Sequence, residues 1–287
     1  MADQDPQFAK RRLSRRLRAI REAAGKTQKD VVDALVWSIS KVIRMEAGDV
    51  GISVTDLRAL LQFYEITDQQ QIDELTEMVL TSRKQPWWAR YSRTMTSSFS
   101  SYLGYETSAS IIRNFESNLI PGLLQTREYA QVLIDDSDGQ QDMWVNLRME
   151  RQKRALESRD RQFFFVLDET ATRRVVGNEA VMHAQLQRLL ELNELPHVNI
   201  MVVPFSRGIY PRFRSPYVIF EFSDANDDIV AYLENPDGSL ILSEKAPMTD
   251  QRKPSDYLQD FWIVEGDYAV DISPEFIERV TATFAMT

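Results

Sequence analysis

The sequence predicts a two-domain protein, with an all-α domain of five helices at residues 8–84 and a mixed α+β or α/β domain at residues 86–287. A chain of 287 residues is long for one domain and comfortable for two. Before residue 84, apolar residues recur at helical spacing. After Pro86, short β-rich runs alternate with helical stretches, which is typical of a domain that mixes strands and helices.

Periodicity and helix-capping residues define the N-terminal domain. Helices are predicted where apolar residues recur every three or four positions, at residues 8–23, 28–35, 39–47, 54–64 and 68–83. Gly25 is suited to end the first helix, because glycine accepts the left-handed backbone that often follows a helix. Thr27 and Ser38 can cap the second and third helices, since their hydroxyls can accept an unpaired amide proton of the first turn.

Residues 27–48 have the spacing of a helix-turn-helix, in which two short helices are joined by a tight turn. In this motif the second helix lies in the DNA major groove, and its first residues reach the base edges. The apolar residues Val42 and Met45 indicate which side of that helix packs on the core. The outward side chains are then Ile39, Ser40, Lys41 and Arg44.

The charge distribution supports DNA binding by the N-terminal region alone. The whole chain has a formal net charge of −9, which by itself disfavours a nucleic-acid partner. Residues 1–48, however, contain eleven lysines and arginines against six acidic residues, a net charge of +5 that leaves −14 for the remaining 239 residues. We therefore expect a positive face on an acidic body, with the acidic part turned away from DNA.

The C-terminal region shows both strand and helix patterns. Strands are predicted at residues 111–115, 163–167, 198–203, 217–222 and 229–234, of which the last two form a hairpin-like pair. Helices are predicted at residues 127–134, 143–157, 179–192 and 274–284. The Ser/Thr-rich residues 92–101 are expected to be a spacer between helices and strands.

Two resemblances cover nearly the whole chain. Thr27-Gln28 and the run from Ser38 to Gly48 resemble the lambda-repressor-like (XRE-type) helix-turn-helix regulators, although Val36 stands where a turn glycine is common. The block Ile120-Pro121-Gly122-Leu123-Leu124-Gln125-Thr126, followed by Glu128-Tyr129-Ala130, is similar to a signature of actinomycete antitoxin-like transcriptional regulators. These resemblances imply control of the protein's own or neighbouring genes, often together with a small partner protein encoded nearby.

Eleven residues are candidates for DNA contact: Thr27, Gln28, Lys29, Ser38, Ile39, Ser40, Lys41, Arg44, Arg11, Arg12 and Arg15. The start of the second helix offers free amides to a phosphate. Lys41 and Arg44 are suited to guanine, and Ile39 to a thymine methyl group. Arg11, Arg12, Arg15 and also Arg16 can contact phosphates, and for all these residues the alternative is a solvated surface position. Glu46 is expected to pair with a cation of the first or second helix.

Enzyme and metal chemistry are disfavoured by the residue inventory. The chain has no cysteine and only two histidines, His183 and His197, neither with a second ligand at zinc spacing. Glycine-rich phosphate-binding motifs are absent from the sequence. We therefore expect no catalytic activity, no cofactor and no metal. With no apolar stretch of membrane-spanning length and no secretory signal, the sequence predicts a cytoplasmic protein that joins the nucleoid when bound to DNA.

Three functional hypotheses remain for the C-terminal domain. In the first, the protein is a dimeric, sequence-specific transcriptional regulator whose C-terminal domain mediates dimerisation and binds a small partner protein. In the second, that domain is a receptor for a small effector, with Tyr210, Phe213, Tyr217 and Tyr232 as pocket candidates, although core packing suits these aromatic residues better. The third hypothesis, implied by resemblance only, is an antitoxin that silences a toxin encoded nearby.

Overall fold

The structure is a computed structural model that describes residues 5–134, 136, 139–224, 227–235, 238–244 and 252–284. It divides the chain into two compact units, Met1–Arg90 and Tyr91–Thr287. The sequence pattern placed this division slightly earlier, at residues 84–86. Within the described ranges, no helix is long and apolar enough to cross a membrane.

Over its described residues 5–90, the N-terminal unit contains five α-helices: α1 (Pro6–Ala23), α2 (Gln28–Leu35), α3 (Ile39–Ala47), α4 (Val54–Phe63) and α5 (Gln69–Thr81). Each helix begins at a side chain that accepts a hydrogen bond from a backbone amide of the first turn, and these caps are Asp5, Thr27, Ser38, Ser53 and Asp68. The predicted caps Thr27 and Ser38 are therefore confirmed. All five predicted helices are present, with ends that differ by no more than two residues.

One apolar core holds these five helices together. Its fully buried side chains come from every helix and include Leu13, Leu17, Val31, Val42, Met45, Leu57, Leu60, Leu75 and Val79. The prediction that Val42 and Met45 turn α3 towards the core is confirmed. Burial of this apolar surface is what fixes the position of α3, because helices of eight or nine residues are not stable alone.

The turn between α2 and α3 contains a strained valine. Val36 has φ 54° and ψ 44°, the left-handed conformation, and its side chain is 90% exposed. For a β-branched residue this conformation is unfavourable by about 1–2 kcal/mol, and no burial offsets it. This is the position where the sequence resemblance would favour glycine.

Replacing Val36 with glycine is expected to raise the free energy of unfolding of the N-terminal unit by about 0.5–1 kcal/mol. The relieved backbone strain exceeds the extra entropy that glycine gives the unfolded chain. Ala34→Gly, two residues earlier in α2, is the matched control and should lower stability by about 1 kcal/mol. Urea unfolding of both variants checks the prediction, and a destabilised Val36→Gly protein would contradict it.

In the described part of the chain, the C-terminal unit is built on a seven-stranded mixed sheet. Its strands are β1 (Ile111–Glu116), β2 (Gln162–Asp168), β3 (Val198–Val203), β4 (Tyr217–Glu221), β5 (Val230–Asn235), β6 (Gly238–Ser243) and β7 (Val270–Asp271). The strand order is β6-β5-β4-β1-β2-β3-β7. The central strands β1, β2 and β3 are parallel, whereas all other neighbours are antiparallel. The predicted mixed fold and the β4–β5 pair are thus confirmed.

Helices pack on both faces of this sheet. They are α6 (Ser97–Ser108), α7 (Arg127–Leu133), α8 (Gln141–Leu156), α9 (Glu169–Arg173), α10 (Glu179–Asn193), α11 (Pro254–Ile263) and α12 (Pro274–Thr281), with a π-helical turn at Val264–Tyr268 after α11. Five elements of this unit were not predicted from the sequence: α6, α9, α11, β6 and β7. The Ser/Thr-rich residues 92–101, expected to be a spacer, contain the first turn of α6.

The two faces of the sheet have different partners because strand side chains alternate. On one face, Phe115, Tyr217 and Ile219 form a core with Phe261 of α11. On the other face, Tyr102 of α6 lies with its ring 5.3 Å from the ring of Phe220. On this second face, α6 and α8 leave a cavity over the β5–β6 end of the sheet.

Candidate nucleic-acid interface

The outward face of α3 presents both apolar and cationic side chains. Ile39 and Ile43 are 46% and 47% exposed, and Ser40 and Arg44 are also exposed. An exposed isoleucine pair one turn apart is unusual on a polar surface, but it suits contact with thymine methyl groups. The face that the sequence predicted for base contact is therefore the face that the fold exposes.

Both ends of α3 are fixed by hydrogen bonds. The Ser38 hydroxyl accepts a hydrogen bond from the Lys41 amide at 3.2 Å, which caps the N-terminus. At the other end, Gly48 has φ 81°, and its amide donates to the carbonyls of Arg44 and Met45. A Cβ atom at Gly48 would stand 3.8 Å from Cγ of Arg11, so the end of α3 lies beside a cation of α1.

A buried ion pair ties α1 to α3. Nε and Nη2 of Arg21 donate to the two carboxylate oxygens of Glu46 at 2.6 and 3.0 Å, and both side chains are less than 10% exposed. This hydrogen bond raises the pKa of Arg21 above its ordinary value, although burial opposes the shift. The prediction that Glu46 is an internal partner for a cation is confirmed, and that cation is Arg21.

Two predicted phosphate contacts at the start of α2 have internal partners. The Gln28 side-chain amide donates to Glu46 at 2.8 Å, which adds α2 to the α1–α3 ion pair. Thr27 forms a capping box with Asp30, in which each side chain accepts from the other residue's backbone amide. The Gln28 amide is therefore turned inward, whereas the Lys29 side chain is exposed.

Lys41 is also held inside the unit. Its Nζ lies 3.1 Å from the Asp56 carboxylate of α4 and 3.7 Å from the centroid of the Trp37 ring. These contacts give the ammonium two partners within the unit, so Lys41 is placed to stabilise the turn before α3, although its side chain remains 37% exposed. Among the outward residues of α3, Arg44 is the exposed cation.

The α1 arginines are placed differently from one another. Arg11 is exposed, Arg12 and Arg15 are half-buried, and Arg16 lies 3.1 Å from Glu74 of α5. Of these four, Arg11 lies next to the end of α3. The structure thus places Arg11, Lys29, Ile39, Ser40 and Arg44 at the surface, together with the capping residues Thr27 and Ser38.

Sequence reasoning missed three features of this region. Ile43 was noted as a departure from the family pattern, but it was not counted as a surface candidate. The Lys41–Asp56 contact joins residues from different helices, so periodicity gives no signal for it. Trp37 and Lys41 are four residues apart, and that spacing could have indicated a cation–aromatic contact.

The aromatic pocket candidates of the C-terminal unit separate into two groups. Tyr210 and Tyr217 are buried in the core around α11, and Phe213 packs against that core. Core packing, the role that suited these residues better, is therefore confirmed for all three. Tyr232 instead lines a cavity of about 500 Å³ on the opposite face of the sheet.

Family comparisons agree with the two units. Residues 12–75 match a family model described as a helix-turn-helix domain, which together with the exposed α3 face defines a DNA-binding regulator. Residues 99–261 match the domain of unknown function DUF5753. This second match covers more than half of the chain, and the protein belongs to the DUF5753 family. None of the curated proteins matches the chain, and no solved structure does so either.

Proposed function

We propose that the protein is a sequence-specific transcriptional regulator that reads DNA with α3 and acts as a dimer. The observation that carries this proposal is the exposed face of Ile39, Ser40, Ile43 and Arg44 on a helix whose other face is locked into the core. An exposed cation beside apolar side chains provides both guanine and thymine recognition. The proposal places the protein in the cytoplasm, associated with the nucleoid, and assigns it no catalytic activity.

Dimerisation follows from the amount of sequence that one helix can read. A single recognition helix contacts only a few base pairs, whereas two half-sites about 34–36 Å apart give useful specificity. We assign dimerisation and partner binding to the C-terminal unit. Support comes from Phe205 and Ile209 after β3, which are 56% and 79% exposed, because exposed apolar residues mark protein interfaces.

Arg44→Ala is expected to weaken operator binding by about 1–3 kcal/mol and to relax base preference at one position. The change removes the exposed guanidinium of α3 without touching the core. Operator fragments are first enriched from genomic DNA with the tagged protein, and affinity is then measured by fluorescence anisotropy. Arg188→Ala is the matched control, since Arg188 is a half-exposed arginine of α10 in the other unit. Equal affinity of Arg44→Ala and the wild type would remove Arg44 from the proposed interface.

The dimer is tested on the same DNA fragments. Footprinting is expected to show two protected half-sites with centres about one helical turn apart, or a multiple of that distance. Sedimentation of the complex should give two chains per DNA duplex. A single protected site with one bound chain would contradict the dimer and leave the assignment of α3 standing.

A second candidate function is favoured by the cavity beside Tyr232. In this second function, the C-terminal unit binds a small effector that shifts the DNA-binding equilibrium. Such a shift requires the effector to bind the DNA-bound and the free protein with different affinities. An antitoxin role remains an alternative supported only by the family resemblance. Co-purification with a small protein encoded nearby would favour partner binding, and release from DNA by a metabolite extract would favour the effector.

A further inference from the structure

The cavity of the C-terminal unit lies between α6, α8 and the β5–β6 end of the sheet. Its lining includes Phe99, Trp144, Arg148, Arg151, Tyr232 and Glu234. A volume of about 500 Å³ lies in the range of small-molecule sites. All the lining residues belong to this one unit, so the site does not depend on how the two units are arranged.

Aromatic rings form the apolar wall. The ring of Phe99 lies 6.3 Å from that of Trp144 in an edge-to-face contact, and 6.0 Å from the stacked ring of Tyr102. Tyr102 in turn contacts Tyr232 with ring centroids 4.7 Å apart. A wall of this kind favours a flat aromatic ligand, because ring edges and faces can pair with those already present.

The two arginines of the cavity differ in their charge balance. Arg151 is fully neutralised, since its Nε donates to both Glu106 oxygens at 2.7 and 2.9 Å and its Nη2 donates to the Tyr102 hydroxyl. Arg148 instead donates through Nη1 to the neutral amide oxygen of Gln125 at 2.5 Å. Within the described part of the chain, Arg148 forms no ion pair with a carboxylate.

The environment of Arg148 makes its charge costly. Burial, and then repulsion by Arg151, lower the pKa of Arg148 to about 10, while the rim residue Glu234 opposes this shift. The guanidinium is therefore still charged at neutral pH. A partly buried cation without an ion-paired carboxylate is stabilised further by an anion that binds directly beside it.

The 120–126 block sets the geometry around Arg148. The Gln125 side-chain amide donates to the Ile120 carbonyl at 2.7 Å, which leaves its oxygen directed to Arg148. Gly122 lies against both arginines, since a Cβ there would stand 3.4 Å from Arg151 Nη1 and 3.7 Å from Arg148 Nε. The block thus holds the guanidinium groups in place, which lowers the entropy lost when a ligand binds.

We propose that this cavity binds a small aromatic anion, with a carboxylate or similar acid group on Arg148 and the ring between Phe99, Trp144 and Tyr232. The proposal deepens the effector form of the proposed function and names the ligand class. Binding itself does not require DNA. Thr94, Thr96 and Ser239 also line the cavity.

The test compares two probes of the same shape, 2-naphthoate and its neutral analogue 2-naphthamide. Both are titrated calorimetrically into the full-length protein without DNA. The carboxylate is expected to bind at least about tenfold more tightly, because a hydrogen bond between two charged groups is stronger than one to a neutral amide. Equal affinity for the two probes, or no binding of either at millimolar concentration, would overturn the proposal.

Variants assign the selectivity to Arg148. In Arg148→Gln the preference for naphthoate over naphthamide should disappear, whereas Arg148→Lys should keep part of it. Arg188→Gln, a change of the same charge in α10, should keep all of it. A naphthoate preference that survives in Arg148→Gln would place the anion elsewhere. If Arg148→Gln does not fold, the two probes are compared on the wild type and on Arg148→Lys. An unchanged naphthoate preference in Arg148→Lys would then count against Arg148 as the anion-binding residue.

Failure of this site and failure of the regulator are distinguishable. Operator binding by the wild type is measured separately by anisotropy, without either probe. Naphthoate-selective binding by a protein that binds no DNA fragment would sustain the cavity and overturn the proposed function. Sequence-specific DNA binding by a protein that does not distinguish the probes would sustain the proposed function and overturn the cavity proposal.

Discussion

Glu46→Ala is expected to lower the free energy of unfolding of the N-terminal unit by about 3–5 kcal/mol, the effect of breaking a buried ion pair. The change leaves Arg21 inside the unit without the carboxylate that accepts two of its hydrogen bonds. It also removes the acceptor of the Gln28 amide. Because Glu46 is the point where α1, α2 and α3 meet, the loss should release the whole helix-turn-helix.

The controls separate this ion pair from a general loss of charge. Glu22→Ala removes another carboxylate near Arg21, at 3.5 Å, but Glu22 is 53% exposed, so the change should affect stability far less than Glu46→Ala. Arg21→Met combined with Glu46→Leu replaces both charges by apolar groups and should recover much of the lost stability.

Hydrogen exchange is the suitable measurement, because it reports on each unit of the full chain separately. Amides of α1, α2 and α3 should lose protection in Glu46→Ala, while those of β1, β2 and β3 keep it. Operator affinity should fall as well, since α3 is no longer held. Unchanged protection of α3 in Glu46→Ala would show that the ion pair does not stabilise the motif.

The N-terminal unit could be predicted from sequence because its determinants are local. Thr27 and Ser38 cap their helices through residues three positions away, and Val42 and Met45 lie one turn apart. Glu46 could be predicted as an ion-pair residue because an acidic side chain beside DNA would repel phosphate. Its partner could not be identified, since the choice among the cations of α1 and α2 depends on how the helices pack.

The C-terminal unit was less predictable because its determinants are not local. Helix α6 was missed because its sequence is rich in serine, and its buried residue Tyr102 contacts strands far away in the chain. The strand order also depends on non-local contacts, because β1 pairs with β2 and β4, which come from distant segments of the chain. The cavity joins Phe99 to Ser239, so no motif or spacing could indicate it.

A carboxylate at the end of β1 gives the C-terminal unit an expected pH dependence. Burial, and then repulsion by Glu234, raise the pKa of Glu116 from 4.5 to about 8. The neighbouring hydroxyl of Tyr129 has a raised pKa as well, chiefly because of its own burial. Glu116 therefore holds its proton in the folded unit at a pH where the unfolded chain has lost it.

The direction of the effect follows from proton binding. Between pH 4.5 and about 8 the folded state binds more protons at Glu116 than the unfolded state does. The contribution of this group to stability is thus fully present below pH 4.5, and it is lost as the pH rises through 8. The stability lost is on the order of 3 kcal/mol. This figure takes about 1.4 kcal/mol for each pKa unit and reduces the total because solvent screens a half-buried group.

Glu116→Gln is accordingly expected to stabilise the C-terminal unit at pH 8 by about 3 kcal/mol and to change it little at pH 4.5. The matched control is Glu221→Gln on β4, which removes a carboxylate 2.7 Å from Arg113 and should destabilise the unit. Protection of the strand amides at both pH values measures the two variants. The two variants are expected to change stability in opposite directions. Glu116 is an acid that the fold keeps neutral, whereas Glu221 is an ionised acid paired with Arg113. A fall in stability for Glu116→Gln at pH 8 would mean that the ionised carboxylate has a partner in the folded protein.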